Sequence, residues 1–356
     1  MLIVNRLGAT AKREWEALEN LDNQKKRGIF AKKTEKAHDR SGGSVNFMKG
    51  TNRKCFKGIL NHCYQRPRYG EVLFYSVSDY LVFFTLLCVA AKKHCIQVLS
   101  LTLMPDHVHH CTEADRKTDL SAFVRDYSAA YASEYNTLCH RKGQLFQTPF
   151  GSTPKLGGKK ARSAIVYVGN NPTERKLCEK AEDYRWTFLA YAESRHPFSE
   201  KLVIHSARRV MRRAVAEVKA QHNSGRHLNY TLLQRLFKTL NRKEKEQLVD
   251  FIITTYSVID TQAAIRFFGS YGDMLMAMHA TSGSEHDLNE IFIGKSDAVY
   301  AKLTKVVMRE MHLEDIHDLF ALSQEERFDV MQMLRRKTDV PTEQIAKYLQ
   351  LHIKFV

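Results

Sequence analysis

The sequence lacks an apolar run long enough to cross a membrane, which argues against a protein built on membrane-spanning helices. The longest such run, residues 80–91, is too short and is followed by Lys92 and Lys93. Residues 1–13 lack the apolar core and small-residue cleavage site of a signal peptide. The seven cysteines are odd in number and scattered, so they predict no disulfide framework. These absences predict a cytoplasmic protein in a reducing environment, with no membrane partner.

Acidic side chains are also fewer than basic ones. The 356 residues include 39 Asp and Glu against 55 Lys and Arg, which gives a formal net charge of +16. Such an excess favours binding to a polyanion, and nucleic acid is the expected partner. A basic protein that is merely soluble would have the same composition, so the charge alone leaves that alternative open.

The chain length predicts two or three domains, and composition suggests where they lie. Residues 1–45 are basic, polar and poor in aromatic side chains, so they are predicted to form a loosely ordered N-terminal arm. A Ser-Gly-Gly-Ser stretch at 41–44 indicates a flexible joint. Residues 46–197 are predicted to form an α+β domain, and residues 198–356 a helical accessory region.

Hydrophobic periodicity and turn residues predict the elements of the α+β domain. The predicted strands are residues 56–64, 95–104 and 109–113, the last continuing the second past a kink at Pro105-Asp106, with another starting near Phe146. The predicted helices are residues 78–93, 119–139 and 161–168, the last ending near Asn171-Pro172, and residues 151–160 are predicted to be a loop.

The end of the chain has the pattern of a partial helix-turn-helix over residues 324–356. An amphipathic helix is predicted over residues 324–336, and Thr342 is predicted to cap a short helix over residues 344–350. The recognition helix would have to follow Leu351, where few residues remain. A plain helical bundle is the alternative interpretation.

A pair of histidines is the most informative feature of the sequence. An apolar alternating run over residues 97–104 is followed by His107-Val108-His109. On a strand, residues two apart point to the same side, so two imidazoles would aim at one point. Two imidazoles form half of a divalent-metal site. Such a spacing also occurs by chance, so the pair needs support from elsewhere in the chain.

Tyr167 and Asn171 supply that support, because residues four apart on a helix share a face. If the Asn171 amide oxygen joined His107 and His109 on a metal, Tyr167 would lie one turn away and could attack a group bound there. The alternative is an ordinary helix-face tyrosine and an asparagine that caps the helix before Pro172.

These residues resemble a known family. The sequence LMPDHVHH resembles the histidine–hydrophobic–histidine signature of single-tyrosine transposases of the insertion-sequence type. The segment YVGNNPTERKLCEKAEDYRWTF, which begins at Tyr167, is similar to that of the REP-associated tyrosine transposases. The resemblance covers about residues 57–192. This chain departs from the family in having Phe146 where tryptophan is common, and Asp106 where asparagine or glutamate precedes the first histidine.

The resemblance implies a ferredoxin-like or RRM-like antiparallel sheet and a strand-transfer reaction. His107, His109 and Asn171 would hold Mg²⁺ or Mn²⁺, and Tyr167 would cleave DNA through a 5′-phosphotyrosine intermediate. The implied partner is single-stranded or hairpin DNA near the bacterial nucleoid, and relatives act as monomers or homodimers. One alternative is a domesticated relative that cuts repeated hairpins without moving its own gene. The others are a regulator that binds DNA without cutting it, and a metal-dependent phosphodiesterase that forms no covalent intermediate.

Basic side chains precede the helix that carries Tyr167. We expect them to hold the DNA backbone, although a solvated loop would have the same composition. The candidates are Lys155, Lys159, Lys160 and Arg162.

Overall fold

The computed structural model describes residues 53–280, Gly294 and residues 296–352. Its contacts define one compact unit over Arg53–Ala321 and place the residues from Leu322 onward in another. The predicted arm over residues 1–45 lies outside the described residues. The predicted boundary between residues 46–197 and 198–356 stays a prediction.

The elements of the first unit alternate between strands and helices before they become helical throughout. They are β1 (Asn61–Gln65), α1 (Val77–Lys93), β2 (Gln97–Met104), β3 (His107–Glu113), α2 (Lys117–Leu138), β4 (Gly151–Pro154), α3 (Gly158–Glu174), α4 (Arg209–Asn223), α5 (Tyr230–Lys238), α6 (Arg242–Tyr256), α7 (Thr261–Arg266), α8 (Tyr271–Ala280) and α9 (Ala298–Glu310), with short 3₁₀ turns at Ala181–Asp183, Ile204–Ser206 and Ile316–Ala321.

The strands form a four-stranded sheet in the order β2-β3-β1-β4, with antiparallel pairing throughout. The chain order β1-α1-β2-β3-α2-β4 is the split βαβ arrangement, so the predicted ferredoxin-like α+β fold is confirmed. Helices α1 and α2 pack together over one face of the sheet, and α3 packs against β2 and β3 on the other. The inner strand β3 is therefore covered on both faces.

The histidine motif begins a new strand instead of continuing β2. Met104 of β2 lies opposite His107 of β3, which leaves Pro105 and Asp106 as the turn of a hairpin. The prediction of one strand continuing past a kink is wrong. The Pro105 carbonyl accepts hydrogen bonds from the main-chain N–H groups of Leu73 and Phe74, at 2.7 and 3.0 Å, and these bonds hold the turn in place.

The predicted loop over residues 151–160 begins with an edge strand. Among the described residues, strand β4 pairs with β1 alone, and Phe146, where a strand was expected, forms only an isolated bridge with Pro67. Gly151 lies so close to Tyr64 that an added Cβ would stand 1.7 Å from the tyrosine Cε1. Glycine and proline therefore mark a short edge strand here and not a loop.

Helix α3 is longer at both ends than predicted and continues through Pro172. A proline inside a helix normally leaves the carbonyl four residues earlier without its partner. Here that carbonyl belongs to Val168, and it accepts a hydrogen bond of 2.7 Å from the Thr102 hydroxyl on β2. The helix therefore runs to Glu174 and is capped at Arg175, so Asn171 is not the cap.

The described residues between 209 and 280 are mainly helical, as predicted, and their helices pack on the α+β core. Helix α6 contacts α1, α7 contacts β2, and α8 contacts α3. Among the described residues, no helix is both long enough and apolar enough to span a bilayer.

The second unit contains the region predicted as a helix-turn-helix. Helices α10 (Gln324–Lys337) and α11 (Thr342–Tyr348) pack against each other. Pro341 occupies the position before the first turn of α11, and Thr342 is the first helical residue, so the predicted Thr342 cap is wrong. Residues 353–356, where a recognition helix would begin, lie outside the described residues.

Candidate active site

His107 and His109 lie on the face of β3 that α3 covers. Their ring centroids are 4.9 Å apart, and the two residues are 8% and 0% exposed. His110 points to the opposite face, where its Nε2 lies 3.1 Å from the Tyr127 hydroxyl. Burial, aided by the neighbouring histidines, lowers the pKa of His110 to about 3, so this third imidazole is neutral at pH 7.

Helix α3 brings Tyr167 and Asn171 to the two histidines. The Asn171 Oδ1 lies 3.0 Å from the Nε2 of His107, and the Tyr167 ring centroid lies 5.4 Å from that of His109. Both α3 side chains are buried. The two residue pairs singled out by strand alternation and helical spacing thus meet in one buried cluster between β3 and α3.

Each histidine is held through its other ring nitrogen. The Nδ1 of His107 lies 2.6 Å from an Asp106 carboxylate oxygen, and the Nδ1 of His109 lies 3.1 Å from the Nε2 of His62. Such contacts fix which nitrogen of a histidine is presented to a ligand. Both histidines are therefore arranged to use Nε2.

Sequence reasoning gave Asp106 no role and missed His62. His62 lies on β1, is 1% exposed, and its ring centroid is 5.6 Å from that of Tyr167. The strand register that pairs β1 with β3 brings it to the site. A buried histidine on a neighbouring strand was the available signal, but that register cannot be read from the sequence.

The donor set fits a divalent metal only if Asn171 takes part. No three His, Cys, Asp or Glu side chains of the described residues converge in a way that could hold an ion. Neighbouring ligand atoms around an octahedral ion with bonds of about 2.1 Å lie about 3 Å apart, which is the separation of His107 Nε2 and Asn171 Oδ1. The buried Asn171 Nδ2 has no hydrogen-bond partner in the described part of the chain, an arrangement that lowers stability and favours a functional role.

The structure separates the four cations predicted to hold DNA. Lys159, Lys160 and Arg162 are exposed in the first turns of α3. Lys155 follows β4 and is only 2% exposed, so the alternative of a solvated loop does not hold for this lysine, and its contact with DNA stays a prediction. Three of the four therefore offer charge to a surface ligand.

The fold and this cluster together form a combination that can be compared with known classes of protein. A ferredoxin-like sheet carries a histidine–hydrophobic–histidine pair on an inner strand, and a helix across the same face carries a tyrosine and an asparagine.

Residues 56–171 match the family described as Transposase IS200 like. This match confirms the recognition made from the sequence for this part of the chain. A solved structure described as "Structure of the REP associates tyrosine transposase bound to a REP hairpin" is similar, with 16% identity and a TM-score of 0.35, over 40% of this chain and 84% of that one. Comparison with curated proteins finds no significant match.

Proposed function

We propose that this protein cleaves and rejoins single-stranded DNA, with Tyr167 as the nucleophile. The observation that carries the proposal is the meeting of Tyr167 and Asn171 with His107 and His109, at a ring distance of 5.4 Å and an atomic distance of 3.0 Å. The match of residues 56–171 to the IS200-like transposase family supports the same reaction class.

In the proposed reaction, the Tyr167 hydroxyl oxygen attacks a backbone phosphorus atom. A tyrosyl O–P bond forms, the bond from phosphorus to the 3′ oxygen breaks, and a 3′ hydroxyl leaves with a proton while the phenol loses its own. A 3′ hydroxyl of another strand reverses these changes and releases Tyr167. One phosphodiester replaces another, so no nucleotide cofactor is needed.

His107, His109 and Asn171 would hold the divalent ion, and the amide oxygen favours Mg²⁺ or Mn²⁺ over softer metals. When bound, the ion would stabilise negative charge on the phosphate and the departing oxygen. Asp106 and His62 would keep both imidazoles in the form that presents Nε2.

The proposed partner is single-stranded or hairpin DNA. The net charge of +16 and the exposed Lys159, Lys160 and Arg162 at the start of α3 support attraction to a phosphate backbone. Such contacts would hold DNA next to the helix that carries the nucleophile.

The test is formation of a covalent adduct. Wild-type protein incubated with single-stranded oligonucleotides and Mn²⁺ should give a protein–DNA band that survives denaturing electrophoresis. Tyr167→Phe should abolish that band, while salt-sensitive DNA binding persists.

Three results would contradict the proposal. An adduct that persists in Tyr167→Phe would exclude this nucleophile. Cleaved ends without any adduct would indicate a phosphodiesterase, and binding without cleavage would indicate a regulator. The matched control is His110→Gln, which changes a histidine on the opposite face and should leave the adduct in place.

A further inference from the structure

Tyr64 lies between the buried cluster and the protein surface. It lies opposite His109 across the β1–β3 pair and opposite Gly151 across the β1–β4 pair, so it shares the face of the candidate site. Its ring centroid is 6.3 Å from that of His109, and its side chain is half-buried where His109 is fully buried. The missing side chain of Gly151 is what lets this ring lie over β4.

Arginines and a second tyrosine continue outward from Tyr64. The Arg66 guanidinium lies 5.8 Å from the centroid of the Tyr64 ring, and that of Arg68 lies 5.4 Å from the centroid of the Tyr69 ring. Tyr69 is 59% exposed, which is unusual for a large aromatic side chain.

The loop that carries these side chains is held in place by main-chain hydrogen bonds. The Arg68 N–H donates to the Leu145 carbonyl at 2.8 Å, and the Gln147 N–H donates to the Arg66 carbonyl at 2.9 Å. Within the described residues, neither Arg66 nor Arg68 forms an ion pair with a carboxylate, and Arg68 instead donates to the Gln144 amide oxygen at 3.0 Å. Both positive charges can therefore serve a ligand from outside the protein.

We infer that Tyr64, Arg66, Arg68 and Tyr69 form a binding track for single-stranded DNA beside the scissile phosphate. In this track, the Tyr69 ring stacks on an unpaired base, and the two arginines contact backbone phosphates. Tyr64 connects the track to His109. The inference rests on the proposed function, since it assigns the strand next to the cleaved bond to this path.

The chemistry favours a single strand over a duplex. An exposed ring gains stacking energy only from a base whose face is open, whereas a duplex offers its phosphates and keeps its bases stacked on one another. Two arginines with a tyrosine on either side of them, and not arginines alone, distinguish this path from a general phosphate-binding surface.

The test measures DNA affinity in a Tyr167→Phe background, where no covalent reaction interferes. Fluorescence anisotropy with a labelled oligothymidine should show binding about tenfold weaker for Tyr69→Leu and unchanged for Tyr69→Phe, because phenylalanine keeps the ring. Arg66→Gln should weaken binding and reduce the slope of log affinity against log salt by about one. Arg209→Gln, an exposed arginine on α4, is the charge-matched control and should change neither value.

Duplex DNA of the same length separates stacking from charge. Tyr69→Leu should bind duplex as its parent does, and equal losses on both forms would overturn the track. Unchanged oligothymidine binding in both Tyr69→Leu and Arg66→Gln would also overturn it. The adduct assay on chains that retain Tyr167 distinguishes failure of the track from failure of the proposed function. If the wild type forms adducts while the track variants bind DNA normally, the track alone is refuted. If the wild type forms no adduct, the proposed function is refuted.

Discussion

The hydroxyl of Thr102 donates a hydrogen bond of 2.7 Å to the main-chain carbonyl of Val168. This carbonyl lies four residues before Pro172, which has no N–H to offer it. Thr102 is directly opposite His109 in the sheet, so the strand next to the histidine pair supplies the donor that the tyrosine helix lacks. The contact joins the two halves of the candidate site.

Removing this donor should therefore destabilise the protein, in a way that depends on Pro172. Thr102→Val keeps the shape but leaves a buried carbonyl without a partner, so we expect a loss of about 1–3 kcal/mol in the free energy of unfolding. In a Pro172→Ala background the restored N–H can reach Val168, and the same substitution should cost much less. Denaturant unfolding of the four proteins of this double-mutant cycle measures the difference. An equal loss of unfolding free energy in both backgrounds would contradict the idea that the Thr102 hydroxyl replaces the N–H that Pro172 lacks.

The same contact shows why the helix end was predicted wrongly. Local rules end a helix before proline, and they hold unless another group satisfies the carbonyl that proline leaves without a partner. That group comes from a residue 66 positions away, on a strand whose register no local pattern reveals. Edge strand β4 was missed for a related reason, since Gly151 and Pro154 are typical of loops until β1 supplies the pairing.

More of the candidate site than of the details of the fold could be predicted from the sequence. Alternation paired His107 with His109, and helical spacing paired Tyr167 with Asn171, because both periodicities are local. His62 depends on the pairing of β1 with β3, and the burial of Lys155 depends on β4. Neither relation follows from spacing along the chain.

His62 should set the metal affinity through His109. Its Nε2 lies 3.1 Å from the His109 Nδ1, so His62→Leu would remove the partner that keeps the His109 Nε2 directed at a ligand. We expect Mn²⁺ to bind about 10- to 100-fold more weakly, as measured by calorimetry. His62→Gln retains an acceptor and should recover part of the affinity, whereas His110→Gln on the opposite face should leave it unchanged. Full affinity in His62→Leu would show that the contact has no such role.

Gly151 should tolerate no side chain. An alanine Cβ would stand 1.7 Å from the Tyr64 ring, so either β4 or Tyr64 must move. We expect Gly151→Ala to lower the free energy of unfolding by about 1–3 kcal/mol. The melting temperature should fall with it. Gly158→Ala is the matched control, since its added Cβ would meet nothing nearer than an Arg162 nitrogen at 4.0 Å, and helix propensity favours alanine there. Equal melting temperatures for the two variants would contradict the clash.

Arg175 and Asp297 form a buried ion pair whose loss should be costly. Two hydrogen bonds, of 3.1 and 2.7 Å, join the guanidinium to the carboxylate, and the residues are 6% and 1% exposed. Asp297→Asn leaves the arginine charge buried without its counterion, which typically costs about 3–5 kcal/mol. The exposed pair of Lys57 and Asp115, 3.4 Å apart, provides the control. Asp115→Asn should change unfolding by less than about 0.5 kcal/mol, and a similar small change for Asp297→Asn would refute the prediction.

His317 should make stability depend on pH in the alkaline range. Burial alone would lower its pKa, but Asp79 at 2.9 Å and Asp315 at 2.6 Å outweigh burial and raise the pKa of His317 to about 10. In the unfolded chain the pKa is about 6.5. The folded state therefore binds the proton more tightly, and the resulting stabilisation is complete below about pH 6.5 and is lost as the pH rises towards 10.

The variant His317→Gln isolates this effect, because its amide can still donate to Asp79 but does not titrate. The difference in unfolding free energy between wild type and His317→Gln should be constant from about pH 5 to pH 6.5 and should shrink steadily up to pH 10. Below this range the two proteins also differ at Asp315, because the contact with His317 lowers the pKa of that carboxyl to about 2. Urea denaturation at a series of pH values measures it, and subtracting the variant removes the contribution of groups whose pKa is the same in both proteins. A difference that stays constant over this range would mean that the two carboxylates do not hold a protonated His317.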